Sequence, residues 1–136
     1  MLRSVLVLSF TVVSSLAPLA ASAGAPTPPA KGEEVYPTMA WPEIEAAVKA
    51  GATLVDARSA EQYAAGHIPG AINVPTDDDA AMTRLPADKT ALLVFYCGGP
   101  ACNARTKCAT KVQALGHTKL AQYKGGYPEW RAAHPN

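Results

Sequence analysis

Residues 93–108 read LVFYCGGPACNARTKC. An apolar run enters a cysteine, then a Gly-Gly-Pro loop, a second cysteine and the start of a helix. Ala91 to Tyr96 is the most apolar stretch of its domain and reads as a strand buried on both faces, the kind a parallel sheet requires. A thiol at Cys97 faces the N–H groups of a loop and of a helix N-terminus. These favour the thiolate, which is the reactive form. Cys97 is therefore the candidate nucleophile. The backbone N–H groups of Gly98, Gly99, Ala101 and Cys102 are candidates to converge on negative charge there, glycine permitting the dihedrals without a side chain in the way. Pro100 donates nothing and stiffens the turn. Arg105 and Lys107, at the helix start, are candidates to face an anionic substrate.

Outward from this loop, helical and extended patterns alternate. Pro42 to Ala50 reads as a helix with Pro in its first turn and Gly51 past its end; Ile44, Ala47 and Val48 share a face. Thr53 to Val55 is a short strand ending at Asp56. Ser59 caps a short helix through Tyr63 and Ala65, stopped by Gly66. Ala71 to Val74 is a strand closed by Pro75, and Asp79 to Leu85 has mild helical character. Asn103 to Leu115 is helical, with Cys108, Val112 and Leu115 on one face and Gly116 at its end. Leu120 to Tyr123 is a final strand, after which Gly125-Gly126 turns into a short helix holding Trp130. This alternation predicts an α/β domain with a central parallel sheet and helices on both faces. In such sheets the functional crevice lies outside the carboxyl ends of the strands, where Asp56 and Cys97 both fall.

The amino-terminal residues carry a different message. Arg3, the apolar run from Val5 to Leu19 and Ala21-Ser22-Ala23 form the charge, apolar stretch and small-residue site of a secretory signal peptide. Ser14, Ser15 and Pro18 interrupt the run, which is short against the roughly 20 residues of a spanning helix. The expectation is cleavage after Ala23 and delivery to a bacterial periplasm, with no stable membrane association afterwards. Residues 24–34 are a Pro-rich leader, and 35–136 form one domain able to bury a single core. The chain has 12 Lys+Arg and 11 Asp+Glu, and only Arg3 lies in the signal segment, so the exported chain is close to neutral. No basic face for nucleic acid is present. Asp77-Asp78-Asp79 reads as a solvated turn and helix start; it lacks the spaced ligands and glycine of a calcium loop. No cofactor or metal is called for, and the sequence assigns no oligomeric state.

Several motifs in order resemble the rhodanese (sulfurtransferase) family: Leu54-Val55-Asp56-Ala57-Arg58, Glu61-Gln62-Tyr63, the run from Gly66 to Pro75 (GHIPGAINVP), Phe95-Tyr96-Cys97, Leu115-Gly116, and Gly125-Gly126 with Trp130. The likeness spans residues 38 to 133. It implies a single rhodanese-like domain whose cysteine takes a sulfane sulfur from a small anionic donor such as thiosulfate, holds it as a persulfide, and passes it to cyanide or a thiol. His67 is similar to the family's structural histidine, and an already ionised thiolate has no need of a general base. The loop after Cys97 is longer than the family's usual one, and Cys102 stands where a basic residue often closes it. Three roles are open for Cys102: a second, resolving thiol, a disulfide partner of Cys97, or loop filler. Cys108 reads as a packing residue. Asp56 and Arg58 read as a pair fixing the backbone, with Arg58 also a candidate for substrate contact. Trp41 and Trp130 read as core or lid residues. Two rivals are a thiol–disulfide redox protein using Cys97 and Cys102, and a non-catalytic sulfur carrier or binding module. A phosphatase-like reading is weaker, because that chemistry sets its arginine closer to the cysteine than Arg105 stands from Cys97.

Overall fold

A computed structural model describes residues 35–136. The signal peptide and the Pro-rich leader expected from the sequence lie outside the described residues. Four strands form one parallel sheet: β1 (Thr53–Asp56), β2 (Ile72–Asn73), β3 (Leu93–Tyr96) and β4 (Leu120–Tyr123), in the order β2-β1-β3-β4. Register places Asp56 opposite Tyr96, and Tyr96 opposite Tyr123, so the carboxyl ends of the three longer strands are level. Four helices accompany them: α1 (Trp41–Lys49), α2 (Ala60–Ala65), α3 (Ala104–Ala114) and α4 (Gly126–Ala133), with a 3₁₀ helix at Asp79–Arg84.

The period-two alternation of the strands divides the core in two. Val55, Leu93 and Phe95 point to one face, where they meet Cys108, Ala109 and Val112 of α3 and Ala81 of the 3₁₀ helix. Leu54, Val94 and Tyr96 point to the other, against Ile44 of α1 and Trp130 of α4. The expected sheet covered on both faces is thus present. Each large apolar side chain fully buried here stabilises the fold by about 1.5–3 kcal/mol.

Local chemistry explains the boundaries. Ser59 Oγ accepts from the Gln62 N–H at 3.3 Å, and Gln62 reaches back to the Ser59 N–H, a capping box that starts α2. Asp78 accepts from the Ala80 and Ala81 N–H groups, and Pro86 follows Leu85, so the segment between closes as a tight 3₁₀ helix. One expected face is corrected. Leu115 is 48% exposed, because α3 ends at Ala114 and Leu115 sits at its C-cap, off the stripe that Cys108 and Val112 bury.

The segment before α1 lies along the outer edge of β4. Gln122 N–H donates to Pro37 O, Met39 N–H donates to Gln122 O, both at 2.9 Å, and Thr38 bridges to Gln122 in parallel. Gln122 Nε2 donates to Tyr36 O at 2.9 Å, while the Tyr36 hydroxyl donates to Gln113 of α3 at 3.0 Å.

Candidate functional site

The carboxyl end of the sheet is organised by a buried polar group. Asp56, wholly buried at the end of β1, accepts from the Arg58 N–H at 2.9 Å, from Arg58 Nε at 3.0 Å and Nη2 at 2.6 Å, and from the Tyr96 hydroxyl at 2.8 Å. That hydroxyl in turn accepts from the Ile68 N–H at 3.1 Å. Arg58 Nη2 also donates to Gly66 O at 2.7 Å, and the guanidinium lies 4.4 Å from the Tyr127 ring centroid. Burial works against the Arg58 charge, but the hydrogen bonds and charge of Asp56 outweigh it and hold the pKa above its ordinary value. Burial, reinforced by the Asp56 charge, raises the Tyr96 phenol, which therefore stays a donor. Arg58 is committed to Asp56, a backbone carbonyl and an aromatic face. These contacts are those of the backbone-fixing role read from the sequence.

Beside this pair, β3 delivers Cys97. The loop turns at once: Cys102 N–H donates to Gly99 O at 3.2 Å, and Gly99 adopts a φ of 141°, open to glycine and strained for other residues. Arg105, in the first turn of α3 and 5% exposed, clasps the loop. Its Nη1 donates to Gly99 O at 3.2 Å and to Cys102 O, its Nη2 to Pro100 O at 3.4 Å, and its Nε to Gln122 Oε1 at 3.0 Å. Burial lowers its pKa. Loop carbonyls and the Gln122 amide oxygen thus take the Arg105 donors. Lys107 is exposed on α3. Of the four expected loop N–H groups, that of Cys102 is taken by the turn; Gly98 and Ala101 are exposed and Gly99 is buried.

On its inner side the loop meets the start of α4. Tyr127 N–H donates to Cys97 O at 3.0 Å. A Cβ on Gly126 (φ 65°) would collide with that same carbonyl oxygen and stand 3.0 Å from Gly99 N. Only a glycine lets α4 approach so closely. The sulfurs of Cys97 and Cys102 are joined as a disulfide, with Cα atoms 6.2 Å apart. Cys97 is 2% exposed. The expectation of a free, solvent-reachable thiolate is not met in this oxidised form, because the second cysteine caps the first.

The remaining candidates are structural. Cys108 is buried, its thiol aimed at Val74 O at 3.4 Å and pushed up to about 12 by burial. His67 stacks on Tyr63 at 3.7 Å and pairs through Nδ1 with Tyr63 O at 3.0 Å. Asp79 pairs with Lys111 at 2.8 Å. Trp41 and Trp130 pack edge to face over the α1–α4 side of the sheet, their centroids 6.0 Å apart. His117 is buried, with Lys89 Nζ 3.1 Å from its Nε2 and no partner for Nδ1 among the described residues. Tyr127 and Gln122 were not singled out beforehand. A glutamine inside a buried strand, and a Gly-Gly pair ahead of an aromatic, are the sequence signals that mark them.

A short parallel sheet with a cysteine loop at its carboxyl edge, closed from behind by a glycine-led helix, defines a single α/β domain. The sequence pattern described as "Rhodanese-like domain" matches residues 41–133, and the chain belongs to the rhodanese-like domain family. It is 37% identical over 109 residues to a human protein named thiosulfate:glutathione sulfurtransferase, covering 69% of this chain and 92% of that one. It is 33% identical over 96 residues to thiosulfate sulfurtransferase GlpE of Pseudomonas entomophila, covering 69% and 84%. Among solved structures, the human single-domain sulfurtransferase TSTD1 superposes with a TM-score of 0.57 at 32% identity, covering 71% of this chain and 96% of that one.

Proposed function

We propose that this chain is an exported rhodanese-type sulfurtransferase acting in the periplasm through a persulfide on Cys97. One observation carries the reading: in a member of this family, Cys97 emerges from the carboxyl end of the central strand into a loop held by its own helix, next to a second thiol. The names of the relatives point the same way. The donor is thiosulfate or a related sulfane compound and the acceptor a small thiol or cyanide.

The reaction starts from the reduced dithiol. The Cys97 thiolate attacks the outer sulfur of thiosulfate, an S–S bond forms on Cys97, and the donor's S–S bond breaks to release sulfite with its electron pair. The acceptor then attacks the terminal sulfur of the persulfide and restores the Cys97 thiolate. Donor and thiolate are both anionic, so the loop must supply positive field; the N–H groups of Gly98, Gly99 and Ala101 and the exposed Lys107 are the groups proposed for this. Arg105 and the Asp56–Arg58 pair act one step back, by fixing the loop and strand end.

The test is thiocyanate formation from thiosulfate and cyanide by the dithiol-reduced, desalted protein. Turnover in the reduced wild type and its loss in Cys97→Ser are expected; full activity in Cys97→Ser overturns the reading. The observed Cys97–Cys102 bond favours a second reading, a thiol–disulfide redox protein. That reading requires exchange with glutathione and no sulfur uptake.

A further inference from the structure

The bond between Cys97 and Cys102 records which sulfur atoms the loop brings together. Cys102 Sγ stands on Cys97 Sγ itself, the inner sulfur of any persulfide formed there. An external acceptor takes the outer sulfur and leaves the cysteine as a thiolate. A thiol that reaches the inner sulfur does something else.

We infer that the chain discharges its persulfide internally, releasing the carried sulfur as hydrogen sulfide and closing the Cys97–Cys102 disulfide. The inference rests on the persulfide reading above. The Cys102 thiolate, its proton passing to water, attacks Cys97 Sγ. The Cys97–Cys102 bond forms, the bond from Cys97 to the terminal sulfur breaks, and hydrosulfide leaves with the electron pair. The sulfane sulfur is reduced to sulfide, and the two cysteine sulfurs supply both electrons by becoming a disulfide. An external dithiol reductant then reopens the bond and restores the starting state.

Two features of the fold and one of the leaving group favour this route. The two cysteines are five residues apart, so attack is intramolecular, at an effective concentration in the millimolar range or above. The leaving group is hydrosulfide, a weaker base than an alkyl thiolate, and departure is faster for the weaker base. Arg105 draws the carbonyls of Gly99, Pro100 and Cys102 together, holding the loop in the curl that keeps Cys102 over Cys97. Arg105 is a positioning residue in this step. The third thiol cannot substitute, since Cys108 is buried against Val74.

The experiment uses the purified chain, reduced with dithiothreitol, desalted without oxygen and given one equivalent of thiosulfate per chain with no acceptor. Sulfide is trapped with a bimane reagent and the protein is weighed intact. Wild type is expected to release one sulfide per chain and to end two hydrogens lighter than the reduced form. Cys102→Ser and Cys102→Ala are expected to stay one sulfur heavier and to release sulfide about tenfold more slowly or less, given the lost intramolecular advantage. Wild type that keeps its sulfur as long as either variant overturns the inference and leaves the transferase standing. Failure of the wild type both to take up sulfur and to release sulfide overturns the transferase, and the inference with it. Unchanged sulfide release in the Cys102 variants overturns the role of Cys102 alone among these claims.

Discussion

Replacing Asp56 by asparagine keeps the shape of the side chain and removes its charge. The carboxylate serves Arg58 N–H, Nε and Nη2 and the Tyr96 hydroxyl, and one oxygen, Oδ2, takes Nη2 at 2.6 Å and the hydroxyl at 2.8 Å. In the variant an amide NH₂ stands where Oδ2 was and points its hydrogens at those donors, or the amide flips and turns them on the Arg58 N–H instead. Either way a guanidinium only 7% exposed loses its counter-charge. Breaking a buried pair by removing one partner destabilises by about 3–5 kcal/mol. Gly66 O and the Tyr127 face still serve Arg58, which places the loss near the lower end, about 3 kcal/mol. For a domain of this size each kcal/mol shifts Tm by about 4–8 °C, so a fall of roughly 12–24 °C is expected. Urea melts at neutral pH of Asp56→Asn, Arg58→Met and the double variant form the cycle that checks it. The double variant is expected to be more stable than the sum of the two losses predicts. A loss under about 1 kcal/mol for Asp56→Asn, or strict additivity, would refute the account, since exposed pairs behave that way.

Two further outcomes follow from packing and protonation. Gly126→Ala sets a Cβ against Cys97 O in a left-handed backbone conformation; a loss of about 1–3 kcal/mol in thermal melts is expected, together with slower thiocyanate formation. His117 is held below its ordinary pKa, first by burial and then by Lys89. The unfolded chain therefore takes up this proton first. The contribution is fully present above an unfolded pKa near 6.5 and is lost as pH falls below it. Urea midpoints measured from pH 7.5 down to 5 are expected to drop less in His117→Gln than in wild type, and parallel curves would dismiss the assignment.

The order of elements was legible because their signals are local. Ser59 and Gln62 form their capping box within one turn, the LVFY run needs no partner to read as a buried strand, and glycines mark the helix ends. The position of Cys97 was legible for the same reason. What escaped the sequence is long-range geometry. Arg105 sits where helix-start cations meet anions, and only the folded loop reveals that three carbonyls reach it first. The two tyrosines are similar cases: Tyr96 looks like strand filler until Asp56 lies level with it, and Tyr127 gains meaning only when its N–H meets Cys97. Leu115 misled by one residue, because a helical stripe is counted as though the helix continued. The Cys97–Cys102 bond was one of several options, since spacing alone does not decide whether two thiols face each other.

The match to the family begins at Trp41, yet the sheet begins earlier. Residues 36–39 hold the free side of β4 and reach across to α3 through Tyr36. A shortened chain cut at the family boundary would leave β4 as a bare flank, with the Gln122 N–H and carbonyl that Pro37 and Met39 now satisfy open to another molecule's strand. Anyone trimming this protein for crystals or fusion should count residues 36–39 as its outermost ribbon.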